Sequence, residues 1–98
     1  MSVYLIVNSK VTNAESLTAY LSSVGDTLKT RDAEVLVSTR TAETIEGEPV
    51  GPRVVVVRFP DRDAFREWYD SPEYQAILGL RLEGTEGFAV LADGRDST

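Results

Sequence analysis

The sequence predicts an α+β subunit of the ferredoxin-like type, βαββαβ, in which one antiparallel four-stranded sheet carries all its helices on one face. Three observations support this expectation. Short β-branched runs and amphipathic runs follow one another in the order strand, helix, strand, strand, helix pair, strand. Right-handed crossovers assemble the two βαβ units of that order into a single antiparallel sheet with both helical layers on the same side. The sheet face away from the helices is itself apolar, so a second copy of the same sheet is expected to cover it, giving a two-fold homodimer that pairs as an α/β barrel.

Val3 to Asn8 alternates around an apolar centre and reads as the first strand. Asn13 is placed to cap a helix over Asn13 to Thr30, where Leu17, Tyr20, Leu21, Val24 and Leu28 recur at helical spacing. Gly25 within it costs about 1 kcal/mol relative to alanine. Glu34 to Thr39 is a second strand by its Val, Leu and Thr content. The stretch Thr41 to Arg53, with Gly47, Pro49, Gly51 and Pro52, reads as an extended arm and the expected mobile region. Arg53 to Phe59 contains four consecutive valines and suits a central strand, which Pro60 stops. Asp61 then caps a brief helix with Asp63 in its first turn and Ala64, Phe65, Trp68 and Tyr69 on one stripe. Ser71-Pro72-Glu73 restarts the helix, and Tyr74, Ile77, Leu78 and Arg81 share its face, so a phenol and a guanidinium sit on an otherwise core-like stripe. Gly87 to Ala92 is the last strand. Residues 1–94 form the expected single domain, and Arg95 to Thr98 a flexible tail.

Strand parity divides the sheet residues into two sets. Val3, Leu5, Val7, Val57 and Phe59, with Val35 and Val37, are expected under the helices, because Phe59 adjoins the helix that follows it. Tyr4, Ile6, Val54, Val56, Phe88 and Val90 face the other way, with Asn8, Ser38 and Arg58 as the polar members and Leu36 beside them.

A chain of 98 residues suffices for one core. Cysteine and histidine are both absent, which removes thiolate nucleophiles, a histidine base, a histidine haem ligand and the usual zinc ligand sets. Asp61 and Asp63 read as helix-start residues and Glu43, Glu46 and Glu48 as a solvated loop edge, so no metal site is expected. Gly84-Thr85-Glu86-Gly87 joins a helix to a strand, the wrong context for a phosphate cradle, and no cofactor is expected. A net charge of −6 disfavours nucleic acid and anionic membrane surfaces. With no apolar run near 18 residues and no signal-peptide pattern at the start, a cytoplasmic location is expected.

Two groups of residues could carry chemistry. Tyr20, Trp68, Tyr74 and Arg81 could converge between sheet and helices, Tyr74 as a general base and Arg81 as the stabiliser of a developing enolate or carboxylate. Read structurally instead, the aromatics are core, the Tyr74 hydroxyl meets water, and Arg81 pairs with Glu73, Glu83 or a helix end. The second group, Asn8, Ser38 and Arg58 with Arg40 near a strand end, lies on the central face. There a ligand site competes with a structural role in which Arg58 pairs with Glu34 and sets the register of the dimer.

The string VVVRFPDRDAFREWYDSPEYQAILGLR, the closing GFAVLADG and the opening YLIVNSKVTNAE resemble the DUF1330 family of small domains of unknown function. The likeness covers nearly the whole chain and is most specific over Trp68 to Tyr74. It implies the dimeric α/β-barrel superfamily, whose members include cofactor-free monooxygenases, lactone isomerases, polyketide cyclases and haem enzymes, and which place substrates between sheet and helices. The lack of histidine argues against the haem enzymes. The family has a glycine pair where this chain has Arg31-Asp32-Ala33, and an arginine followed by glycines where it has Ser38-Thr39-Arg40. A ligand role of that arginine therefore does not pass to Ser38, and Arg40 is displaced in register. The expected function is a cofactor-free enzyme of isomerase, cyclase or monooxygenase type acting on a small aromatic or carbonyl-containing metabolite. The alternative is a non-catalytic homodimer that binds a small ligand or serves as an interaction module.

Overall fold

A computed structural model describes residues 2–95. The chain runs β1 (Val3–Val11), α1 (Ala14–Lys29), β2 (Glu34–Thr39), β3 (Arg53–Phe59), α2 (Arg62–Tyr69), α3 (Pro72–Gly84) and β4 (Thr85–Asp93). Each helix begins where a side chain can take a free backbone N–H: the Asn13 carboxamide accepts from Ser16, the Asp61 carboxylate from Ala64, and the Ser71 hydroxyl from Tyr74. Pro72 opens α3, where its missing N–H is not needed.

The strands pair in the order β2-β3-β1-β4, every neighbour antiparallel, which gives the ferredoxin-like βαββαβ arrangement. Two strands exceed their expected length. β1 continues to Val11 because Lys10 and Val11 pair with Glu86 and Thr85, so β4 begins directly at the end of α3. No helix among the described residues is long and apolar enough to cross a membrane, and residues 96–98 of the expected tail lie outside the described residues.

Parity holds for β1 and β3, where Val3, Leu5, Val7, Val57 and Phe59 are buried under the helices. It fails in β2. Val35 lies opposite Val57, but Val37 lies opposite Val56 and Ser38 opposite Val55, with a register shift between Val35 and Val37. One extra residue in a strand reverses the facing of everything beyond it. Val37 therefore belongs to the outer face, and Ser38, expected there, turns under the helices.

Gly87 lies opposite Ser9 in the β1–β4 ladder, and a Cβ there would run into the Asn8 carbonyl oxygen and, at 2.6 Å, into Ser9 Cα. Gly87→Ala is expected to cost about 1–3 kcal/mol through this overpacking and to lower the melting temperature by roughly 5 °C or more. An unchanged melt would contradict the described pairing.

The 40–52 arm has no regular secondary structure, yet it is tied down. The Asn8 amide donates to the Gly51 and Arg53 carbonyls at 2.9 and 3.4 Å, its oxygen accepts from Val50 N–H at 2.8 Å, and Ala42 N–H donates to the Pro52 carbonyl. The arm thereby shelters the Asn8–Val54 end of the outer face, which the sequence left bare.

Candidate active site between the helices and the sheet

The site follows from how α1 and α3 lie side by side. The carbonyl of Gly84, the last residue of α3, accepts from Thr12 and Asn13 N–H at the start of α1, while Arg31 just beyond α1 pairs with Glu73 at the start of α3. The helices thus run antiparallel. They approach closely at Gly84, where an added Cβ would lie 2.8 Å from Leu17 N. This contact turns Tyr20 of α1 and Tyr74 and Arg81 of α3 inward over the sheet.

Beneath them is a cavity of about 390 Å³, floored by Leu5, Val7, Val55 and Val57 and walled by aromatic side chains. Its size falls in the usual range for small-molecule sites, ~300–1,000 Å³. Tyr20, Trp68, Tyr74 and Arg81 all line it. The two phenols share a hydrogen bond of 3.0 Å, with their rings edge to face at 6.1 Å. Trp68 lies 3.9 Å from the Tyr74 ring, centroid to centroid, and its indole N–H donates to Thr27 Oγ1 at 2.9 Å. The Tyr74 hydroxyl therefore does not reach for water, and Glu73 is engaged by Arg31. Arg81 has no carboxylate within ion-pair distance among the described residues, and its buried Nε has no hydrogen-bond partner.

Of two further lining residues, sequence reasoning passed over Arg53 and placed Ser38 on the opposite sheet face. Arg53, the first residue of β3, is 5% exposed and donates from Nη1 to Ser9 Oγ at 3.2 Å. It shares the parity of Val55 and Val57, the set placed under the helices, and that was the available signal. Ser38 lines the cavity because of the register shift in β2, which EVLVST does not announce.

Burial pushes the Tyr20 phenol far above the usual tyrosine range; Tyr74 adds to the shift, and Arg81 and Arg53 oppose it. Tyr20 accordingly stays protonated at any physiological pH. Burial also lowers Arg53 from the ordinary guanidinium value, Tyr20 opposes that shift, and the charges of Arg81 and Arg40 add to it. Arginine nevertheless keeps its proton.

The remaining predicted residues lie elsewhere. Asn8 and Arg58 are on the outer face, the first spending its amide on the arm and the second pairing with Glu34 at 3.4 Å. Arg40 follows β2 and is exposed, close enough to act on Arg53. Among the described residues no three acids gather in a way that could hold a metal ion.

Fold and site together define a ferredoxin-like domain with a ligand-sized, mostly apolar cavity between its helices and its sheet. The family model described as Domain of unknown function (DUF1330) matches residues 2–95, and the chain belongs to that family. No curated protein matches it. Among solved structures it is similar to a protein of unknown function, RPA0582 of Rhodopseudomonas palustris, with a TM-score of 0.81 and 14% identity over 95% of this chain and 82% of that one. It is similar also to SnoaB, a cofactor-independent oxygenase of Streptomyces nogalater, with a TM-score of 0.66 and 13% identity over 96% of this chain and 93% of that one. A dimeric ferredoxin-like protein of unknown function from Bacteroides fragilis aligns with a TM-score of 0.55 and 16% identity over 95% and 96% of the two chains. At these identities the likeness is one of fold.

Proposed function

We propose that the chain is a cofactor-free enzyme of isomerase, cyclase or monooxygenase type that acts on a small aromatic or carbonyl-containing metabolite in this cavity. The observation that carries the reading is that a partly open cavity of about 390 Å³ has both Tyr74 and Arg81 in its wall. Had core side chains filled that space, the non-catalytic alternative would have been the better reading. The valine floor and the aromatic wall seat an apolar ring. As a proton leaves carbon, the neighbouring carbonyl oxygen becomes an enolate, and the unpaired Arg81 guanidinium favours that charge against a mostly apolar wall. In this reading Tyr20, which stays protonated, is the donor of the bond the two phenols share, and Tyr74 is the member of the pair that exchanges a proton with substrate. An enolate held away from competing acids is the common intermediate of isomerisation, of ring closure and of direct reaction with dioxygen. The fold of a cofactor-independent oxygenase supports this reading as analogy.

In this reading the working unit is a homodimer. The outer sheet face carries the row Val37, Val56, Ile6 and Val90, whose ends Val37 and Val90 are exposed in the single chain. The dimeric ferredoxin-like neighbour gives the same support by analogy.

The test is turnover by the wild type and three variants of an enolisable aryl keto acid such as phenylpyruvate, followed as solvent deuterium exchange, with dioxygen uptake measured on fused-ring phenols. Tyr74→Phe and Arg81→Met are each expected to reduce the rate about 100-fold, the scale of general acid–base catalysis. Arg81→Met keeps its apolar reach and should stay within about 1 kcal/mol of the wild type, while Tyr74→Phe leaves the buried Tyr20 hydroxyl without its partner and should cost about 1–3 kcal/mol, which still leaves the domain folded. The double variant should lose little more than either single one, because base and cation act as a unit. Wild-type rates in all three would favour the non-catalytic homodimer.

A further inference from the structure

We infer that the ligand of this cavity is a carboxylate on an apolar body and that Arg53 and Arg81 hold its anionic end. The inference rests on the small-molecule reading above and narrows it. The chain has 16 acidic against 10 basic residues, so a basic side chain should easily find a carboxylate. Lys10, Lys29, Arg31, Arg58 and Arg62 do so, all in pairs at or near the surface. Arg40, Arg53, Arg66 and Arg81 have no carboxylate within ion-pair distance among the described residues. These four gather at one place: Arg53, Arg66 and Arg81 line the cavity, and Arg40 is close enough to act on Arg53.

No aspartate or glutamate lines the cavity. Arg53, almost wholly buried, has a single side-chain acceptor in the Ser9 hydroxyl, and the buried Nε of Arg81 has none. A guanidinium presents five donors and carries a fixed charge, and burying such a group without a counter-charge is strongly unfavourable. Two of them facing one chamber repel each other as well. The nearby phenol does not relieve this, because Tyr20 stays protonated. A carboxylate does, since its two oxygens accept from both guanidinium forks at once. Apart from the Ser38 hydroxyl and the phenols of Tyr20, Tyr69 and Tyr74, the rest of the wall is apolar, with Val55, Val57, Phe65 and Trp68 in it, so the remainder of the ligand is mostly apolar. Arg66, the third cation, is spent over the Phe65 ring at 5.5 Å.

The experiment is calorimetric titration of the full chain at pH 7.5 and low salt with 2-naphthoate, 2-naphthamide and 2-naphthyl phosphate. The expected result is a Kd for the naphthoate at least about 10-fold below that of the amide, with added salt weakening only the charged probes. That ratio should collapse toward one in Arg53→Met and in Arg81→Met, recover in part in Arg53→Lys, and stay unchanged in Arg62→Met, which breaks only the surface pair with Asp93. If Arg53→Met does not fold, Arg53→Lys and Arg81→Met carry the same comparison. Equal affinity for acid and amide overturns the inference and leaves the small-molecule reading standing. An acid preference that survives both Met variants overturns the roles of Arg53 and Arg81. Tighter binding of the phosphate moves the ligand to another class and overturns the carboxylate. Binding of none of the three by the wild type counts against the cavity as a ligand site, and so against both readings.

Discussion

Trp68→Ala is expected to cost about 3–5 kcal/mol, the usual price of removing a large aromatic side chain from a core. A domain of this size has about 5–15 kcal/mol in all, so the variant should be close to unfolding at room temperature. Trp68 is 2% exposed, and its ring sits among Phe59 at 5.3 Å, Phe65 at 6.0 Å and Tyr74 at 3.9 Å, centroid to centroid. It also joins three helices: its indole N–H donates to Thr27 on α1, its carbonyl accepts from the hydroxyl of Ser71, and that hydroxyl caps α3. Truncation would enlarge the existing cavity, and a void that cannot collapse costs more than the lost contacts alone. Urea unfolding should show a lower midpoint with an unchanged slope, the mark of a change in stability and not in the extent of unfolding. A loss below about 1 kcal/mol would mean that the ring faces open space and contributes to ligand binding alone.

The sequence carried most of the fold because the fold is written in local signals. Asn13, Asp61 and Ser71 cap their helices as their side-chain chemistry requires, and the valine run of β3 lies between two partners. Two features of the site were not local. The register shift in β2 depends on how Val35 and Val37 meet β3, and no residue in EVLVST marks it, so Ser38 and Val37 were assigned to each other's faces. The partners of Asn8 lie 42 to 45 residues away, on the arm and at the first residue of β3, a distance over which composition says nothing about contact. Leu21 kept the helical spacing of α1 yet is 40% exposed, because periodicity gives a stripe and not its width. Arg53 could have been found: its parity was legible, but a charged residue at the junction of loop and strand reads first as a solvated end.

Val56→Asp is expected to abolish the proposed homodimer. Val56 lies between Val37 and Ile6 in the cross-strand row that ends at Val90, and Val37 and Val90 are 40% and 48% exposed in the single chain. The molecule is a slab of 33 × 32 × 16 Å, one layer of helices on one of strands, so nothing in its own thickness covers that row. The register shift strengthens the case, since it brings Val37 to the outer face and takes Ser38 away. Two such faces packed together would bury upwards of about 2,000 Å², the size of a stable interface. A carboxylate at the centre of it would be desolvated without a partner, at a cost of several kcal/mol. Arg58 is the nearest cation on that face by register, one pleat along β3, and it is already paired with Glu34. Sedimentation at micromolar concentration should therefore give a dimer for the wild type and a monomer or aggregate for the variant. A wild-type monomer would remove the homodimer, and an intact dimer in Val56→Asp would place the interface on another surface.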